Sequence, residues 1–186
     1  NRLYGEGPGR TYINHVVDQR YNGTTGQQAG STFKIFTLAA ALEKGISPGI
    51  VMSGPAQITI PNRRCYTGNG PWSPGNAGDS SAGTYNMYGA VANSVNTWFA
   101  QLAVKVGPEN AVEVARRMGI TNVPPRGSRE YAYWNVCSLV LGVREVSVLD
   151  MAGAFGVLAN RGVRCAPYSI TRVVAPQAAP AHSSIR

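Results

Sequence analysis

Residues 30–42 read Gly30-Ser31-Thr32-Phe33-Lys34-Ile35-Phe36-Thr37-Leu38-Ala39-Ala40-Ala41-Leu42, and Lys34 is the only charge before Glu43. A run that is apolar nearly all round has the pattern of a buried helix. Gly30 and Ser31 look like its entry, and Gly45, after Glu43 and Lys44, like its C-terminal stop. In such a helix Lys34 is misplaced twice. It lies in the first turn, where the helix dipole disfavours a cation by up to about 1 kcal/mol, and burial adds a desolvation cost to its charged form.

Spacing supplies an offset. Positions i and i+3 of a helix stand side by side, with Cβ atoms roughly 5–6 Å apart, so Ser31 Oγ and Lys34 Nζ can meet. A serine hydroxyl becomes a useful nucleophile when an adjacent base takes its proton, and a lysine serves as that base once its pKa falls from about 10.4 towards neutrality. Apolar surroundings and a positive helix terminus both push it that way. The plain alternative is a capping serine and a lysine that extends its ammonium to the surface. Against it, the chain has 14 arginines and only three lysines, Lys34, Lys44 and Lys105, so its surface charge is carried by arginine.

The 186 residues are enough for one domain with a sizeable core, or for most of a larger one. A hydrophobic content of 44% is ordinary for a globular protein, and 22 Gly with 12 Pro imply many loops. No uncharged apolar run approaches the roughly 20 residues that cross a bilayer, and the N-terminus has no signal-peptide pattern. Any anchor or export signal is therefore expected outside this chain. The net charge is +8, but the basic residues are scattered, with Arg63-Arg64 and Arg116-Arg117 the only adjacent pairs. Without a basic stripe interleaved with aromatics, nucleic-acid binding is not expected. Cys65, Cys137 and Cys165 lie too far apart for a local metal-ligand pair. In an oxidising compartment one disulfide and one free thiol is the simplest arrangement, with the pairing left open. The only histidines are His15 and His182, so a histidine-based triad is not expected.

Along the chain, residues 1–29 read as an approach to the Ser31 helix, with a short strand around Thr11 to Val17. Residues 46–84 are dense in turn formers and read as an irregular surface segment in which short strands such as Ala56 to Ile60 could lie. Helical periodicity marks Asn86 to Ala92, Asn96 to Val106, Pro108 to Met118 with Gly119 as its stop, and Val146 to Asn160 with Gly162 beyond. Residues 120–137 read as a loop and Tyr168 to Val174 as an alternating strand. Residues 175–186 read as a flexible tail.

Ser94-Val95-Asn96 falls between two of these helices, 63 residues after Ser31. Alone, a Ser-x-Asn at a helix junction usually means capping. A Ser-x-x-Lys at a buried helix start followed by a Ser-x-Asn between helices is the order found in penicillin-binding proteins and class A β-lactamases, where Lys-Thr-Gly comes third. Gln28-Ala29-Gly30-Ser31-Thr32-Phe33-Lys34 resembles the active-site helix of a high-molecular-weight penicillin-binding protein. Gly83 to Leu102, Leu141-Gly142 and Glu145 to Ala152, with Ala159-Asn160-Arg161-Gly162, resemble the same family. The similarity extends from about Gly26 to Val174, and in loops and cysteines it is most like the bifunctional class A enzymes of actinobacteria.

The resemblance implies an α+β fold of the penicillin-binding transpeptidase and β-lactamase-like kind. It implies a peptidoglycan D,D-transpeptidase that forms an acyl-serine intermediate with D-Ala-D-Ala stem peptides and is inhibited by β-lactams. Ser31 would be the acylated nucleophile, Lys34 its base and Ser94 a proton shuttle, while Asn96 would bind the substrate amide and hold Lys34. The Ser31 backbone N–H would form half of the oxyanion hole. No metal or cofactor is implied, and the setting would be the extracytoplasmic cell envelope. Class A β-lactamases carry Asp where Val95 stands, and Glu130, the positional candidate for a deacylating carboxylate, lacks that family's Glu-x-x-Leu-Asn setting. A D,D-carboxypeptidase or β-lactamase is the enzymatic alternative, and a non-catalytic sensor or wall-interaction module the other.

No Lys-Thr-Gly follows Asn96. Residues 1–186 are therefore expected to be a partial transpeptidase domain, mainly its helical part. The first strands and the Lys-Thr-Gly strand would come from other segments or chains of the same protein. Alone, the piece is expected to fold poorly, to escape acylation, and to expose the side of the Ser31 helix that the sheet should cover.

Overall fold

The computed structural model of the chain describes residues 4–66, 68, 70–77 and 82–174. The expected flexible tail, residues 175–186, and His182 within it lie outside them. Gly30–Phe33 forms a single 3-10 turn that runs into helix α1, Lys34–Glu43. The helix ends where Gly45 was expected to stop it. Gly45 takes φ +76°, its N–H donates to Leu42 O at 2.9 Å, and the Ile46 N–H donates to Ala41 O at 3.0 Å, which together close a Schellman motif.

Two helices hold α1 in place. Helix α3, Asn96–Val106, buries Trp98, Phe99, Ala100 and Leu102 almost completely and runs through the centre of the core. It follows α2, Met87–Ala92, whose N-cap Asn86 accepts from the Gly89 N–H at 2.9 Å. Helix α4, Pro108–Met118, begins with Pro108 and ends at Gly119, φ +109°, as the sequence predicts. Its apolar stripe of Ala111, Val112, Val114, Ala115 and Met118 is buried, and the helix packs against α1. Lys44 Nζ donates to Val106 O at 2.9 Å, satisfying a terminal carbonyl of α3 from the end of α1.

The strands are short and paired in twos. Strand β1, Asn14–Asp18, lies parallel to β2, Gly23–Thr24. Strand β3, Gln27–Gln28, is antiparallel to β6, Glu145–Val146. Strand β4, Met52–Gly54, is antiparallel to β5, Gly83–Tyr85. Residues 56–60 and 72–76 are joined by backbone bonds from Ile58 N to Pro74 O, Ile60 N to Trp72 O and Asn76 N to Ala56 O. The expected α+β class holds: helices with few strands among the described residues.

Three expectations need correction. The last helix, α6, spans Val148–Ala159, because Val146 is taken by the β6 ladder and Ser147 caps the helix through the Asp150 N–H. The 120–137 loop contains α5, Tyr131–Trp134, which anchors Trp134 beside Phe33. Tyr168 to Val174 forms no strand: Tyr168, Ile170, Val173 and Val174 are all at least two-thirds exposed, and alternation becomes a strand only when a partner edge takes its hydrogen bonds. Helix α1 is not buried all round: Ile35 and Leu38 are half-buried and Leu42 is 45% exposed.

Among the cysteines, Cys65 and Cys137 form a buried disulfide and Cys165 is free and exposed. Cys137 opens a 3-10 stretch, Cys137–Leu141, that packs on α3 and on the turn bearing Ser31.

Candidate active site

Ser31, Lys34, Ser94 and Asn96 meet around one atom. Lys34 Nζ lies 3.2 Å from Ser31 Oγ, 2.9 Å from Ser94 Oγ, 2.7 Å from Ser94 O and 2.6 Å from Asn96 Oδ1. Ser31 is exposed, whereas Lys34 beneath it is only 5% exposed. Neither simple reading of the motifs survives. Lys34 does not reach the surface, and the N-cap position before Ser31 belongs to Ala29, which makes no side-chain cap bond. The side chains of Ser94 and Asn96 turn to Lys34 instead of capping α3.

All four oxygens around Nζ are uncharged. Burial therefore lowers the Lys34 pKa from 10.5 to about 8. The Phe99 ring, 5.3 Å from Nζ, offers its π face to the charged form and offsets part of that cost. Below about pH 8 the ammonium predominates, its three N–H groups donating among these oxygens, and deprotonation gives the form that can act as a base. Asn96 Oδ1 and Ser94 O can only accept, and a neutral amine has two N–H groups for those two oxygens. Its lone pair then remains for a hydroxyl proton, which the neighbouring serines can supply.

Backbone contacts set the position of Ser31. The Ala29 N–H donates to Arg144 O at 3.0 Å and the Gly30 N–H to Gly142 O at 3.1 Å, extending the β3–β6 pairing to the foot of the turn. Gly142 takes φ +68°, and a Cβ there would stand 2.2 Å from Gly30 N and 2.1 Å from Gly30 O. Only glycine allows the two chains this close. Ser31 itself lies in the first turn, where N–H groups have no intrahelical acceptor. Its N–H is thus available to an oxyanion.

The second motif is held in a strained conformation. Ser94 takes φ +50°, a region costly for a non-glycine residue, and Val95 is completely buried behind it. Asn96 Nδ2 donates to Gly75 O at 2.9 Å. Gly75 and Asn76 fall in the turn-rich segment 46–84, and no local signal in the sequence marks them as neighbours of the site. Glu130 is exposed at the start of α5, and Trp72, Trp98 and Trp134 are core side chains. Among the described residues no group of three or more His, Cys, Asp or Glu is placed to hold a metal.

Fold and site together define an α+β domain built around a buried lysine that joins two serines. The chain belongs to the penicillin-binding protein transpeptidase domain family, whose profile matches residues 6–185. It is 32% identical over 157 residues to penicillin-binding protein 1A of Mycolicibacterium smegmatis, covering 80% of this chain and 19% of that protein. It is 31% identical over 150 residues to penicillin-binding protein 1A of Aquifex aeolicus, covering 80% of this chain and 18% of that one. The structure of penicillin-binding protein PonA1 from Mycobacterium tuberculosis superposes with a TM-score of 0.62 at 29% identity, over 76% of this chain and 36% of that chain. The likeness to class A enzymes, those of actinobacteria included, is thereby shown, and the chain spans less than a fifth of the length of these curated relatives.

Proposed function

We propose that this chain carries the acylation machinery of a peptidoglycan D,D-transpeptidase. The observation that supports it best is a buried lysine, bounded by neutral oxygens and 3.2 Å from an exposed serine hydroxyl. In the first step Ser31 Oγ gives its proton to the lone pair of Lys34 Nζ and attacks the penultimate D-Ala carbonyl of a stem peptide. The Ser31 N–H stabilises the oxyanion that forms. The peptide C–N bond then breaks, and the proton passes from Nζ through Ser94 Oγ, 2.9 Å away, to the nitrogen of the departing D-Ala. An amine on a neighbouring stem attacks the ester, its proton returns through the same groups, and Ser31 is regenerated.

A β-lactam follows the same first step, with the lactam nitrogen as the leaving atom. That nitrogen stays tethered to the acyl group, so the ester persists. In this reading other segments or chains of the same protein supply the carboxylate-binding Lys-Thr-Gly strand, and the setting is the extracytoplasmic face of the cell envelope. Val95 stands where class A β-lactamases carry Asp, and Glu130, exposed at the start of α5, lacks that family's Glu-x-x-Leu-Asn setting, which favours transpeptidation over β-lactam hydrolysis.

The test is to give the native-length protein a D-Ala-D-Ala stem peptide with and without an amine acceptor. Release of D-Ala that depends on Ser31 and yields cross-linked product is expected. Release to water as the main course would mark a carboxypeptidase, and turnover of a penicillin adduct within minutes a β-lactamase. Failure of Ser31 to react with either compound would leave only the interaction-module reading.

A further inference from the structure

Neither Ser94 nor Asn96 caps helix α3, yet its first turn is capped. The acceptor comes from 21 residues earlier: Asn76 Oδ1 takes the Thr97 backbone N–H at 3.0 Å. Thr97 Oγ1 also lies 3.3 Å from Asn76 Oδ1, but it is 2.7 Å from Pro55 O, and its single proton goes to the closer carbonyl. Asn76 Nδ2 donates to the same Pro55 O at 3.0 Å, and the Asn76 backbone N–H donates to Ala56 O at 2.8 Å. One asparagine thus ties three segments together: residues 55–56, its own turn, and the start of α3.

What this tie holds is the carbonyl next to it. Gly75 O accepts from Asn96 Nδ2 at 2.9 Å, while Asn96 Oδ1 accepts from Lys34 Nζ at 2.6 Å. The carboxamide cannot flip without setting oxygen against oxygen at Gly75 and N–H against N–H at Lys34. Gly75 O therefore decides which end of Asn96 faces the lysine. We propose that Asn76 is a positioning residue of the acylation site, fixing Gly75 O and the first turn of α3 so that Asn96 presents Oδ1 to Lys34. The proposal rests on the reading of Ser31 and Lys34 given above.

The test uses the native-length protein and a fluorescent penicillin in rapid-mixing experiments that separate non-covalent binding, Ks, from acylation, k2. Asn76→Leu, close in size and without polar atoms, is expected to label to completion with k2 lowered about ten- to a hundredfold and Ks within about twofold of wild type. Asn76→Asp keeps the oxygen for the Thr97 N–H and is expected to recover most of k2. Wild-type k2 in Asn76→Leu overturns the proposal, as does Asn76→Asp that is equally slow. A reduced labelled fraction with unchanged k2, the mark of a purely structural role, overturns it too. Should Asn76→Leu not fold, Asn76→Ser is compared with Asn76→Ala: faster k2 for serine, which keeps a capping oxygen, supports the proposal and equal k2 refutes it. Wild-type protein that does not label at Ser31 would overturn the underlying reading itself.

Discussion

At Lys34, four uncharged oxygens surround an amine whose pKa burial brings down to about 8. The folded value lies below the ordinary 10.5, so between about 8 and 10.5 the unfolded chain binds more protons than the folded one. Stability linked to this residue is therefore least below pH 8 and rises across that window. Denaturant titrations should show the difference between wild type and Lys34→Met moving in favour of wild type as pH rises from about 8 to 10.5. Gly142→Ala should place a methyl against the Gly30 backbone and force an alanine to φ +68°. We expect it to lower stability by about 1–3 kcal/mol and to slow penicillin acylation more than Leu42→Ala does, read by denaturation and by labelling rate. The pairing of Ser31 with Lys34 was legible because helix geometry puts i and i+3 together. That Ser94 and Asn96 join them became legible only by resemblance, since no local rule relates residues 60 positions apart. Gly75 acts through a backbone carbonyl, which every residue type has, so its part in the site left no trace in the sequence; Gly142 stands in a segment that carries the resemblance, but its missing Cβ has meaning only against Gly30, 112 positions away.

Elements whose ends are set by local chemistry were read well. Helices α3 and α4 have the bounds expected of them, because the Gly107-Pro108 junction and Gly119 act within a turn or two of their own positions. Elements whose existence depends on a distant partner were not. Val146 shows helical periodicity but pairs with Gln27, and Tyr168 to Val174 alternates without a partner edge. The centre of α3 makes the cost of disturbing an element measurable. Trp98 is fully buried, packs edge-to-face on Phe99 with ring centroids 5.3 Å apart, and donates from Nε1 to Tyr85 O at 2.9 Å. Trp98→Ala should cost about 3–5 kcal/mol by chemical denaturation. It should also slow acylation, because Phe99 on the same turn lies against Lys34.

Over the whole molecule, the disulfide joins parts of the chain 72 residues apart and encloses both Gly75 and the second motif. A loop of that length contributes about 4 kcal/mol in the chain-entropy account. Cys65→Ser with Cys137→Ser should therefore lower unfolding stability by about 2–5 kcal/mol, whereas Cys165→Ser, at an exposed free thiol, should change it by less than about 0.5 kcal/mol. The half-exposed face of α1 and the exposed Val148, Phe155 and Leu158 of α6 leave apolar surface open in these 186 residues. Activity is for that reason best read on the native-length protein. The most direct test of the account is the rate at which that protein gains the mass of one benzylpenicillin, followed from pH 6 to pH 10 with the adduct mapped by peptide digestion. The account predicts a single adduct on Ser31, none in Ser31→Ala, and a rate that falls about tenfold per pH unit below about 8 as Lys34 becomes protonated. An adduct on another residue, or a rate that does not change across this range, would contradict it.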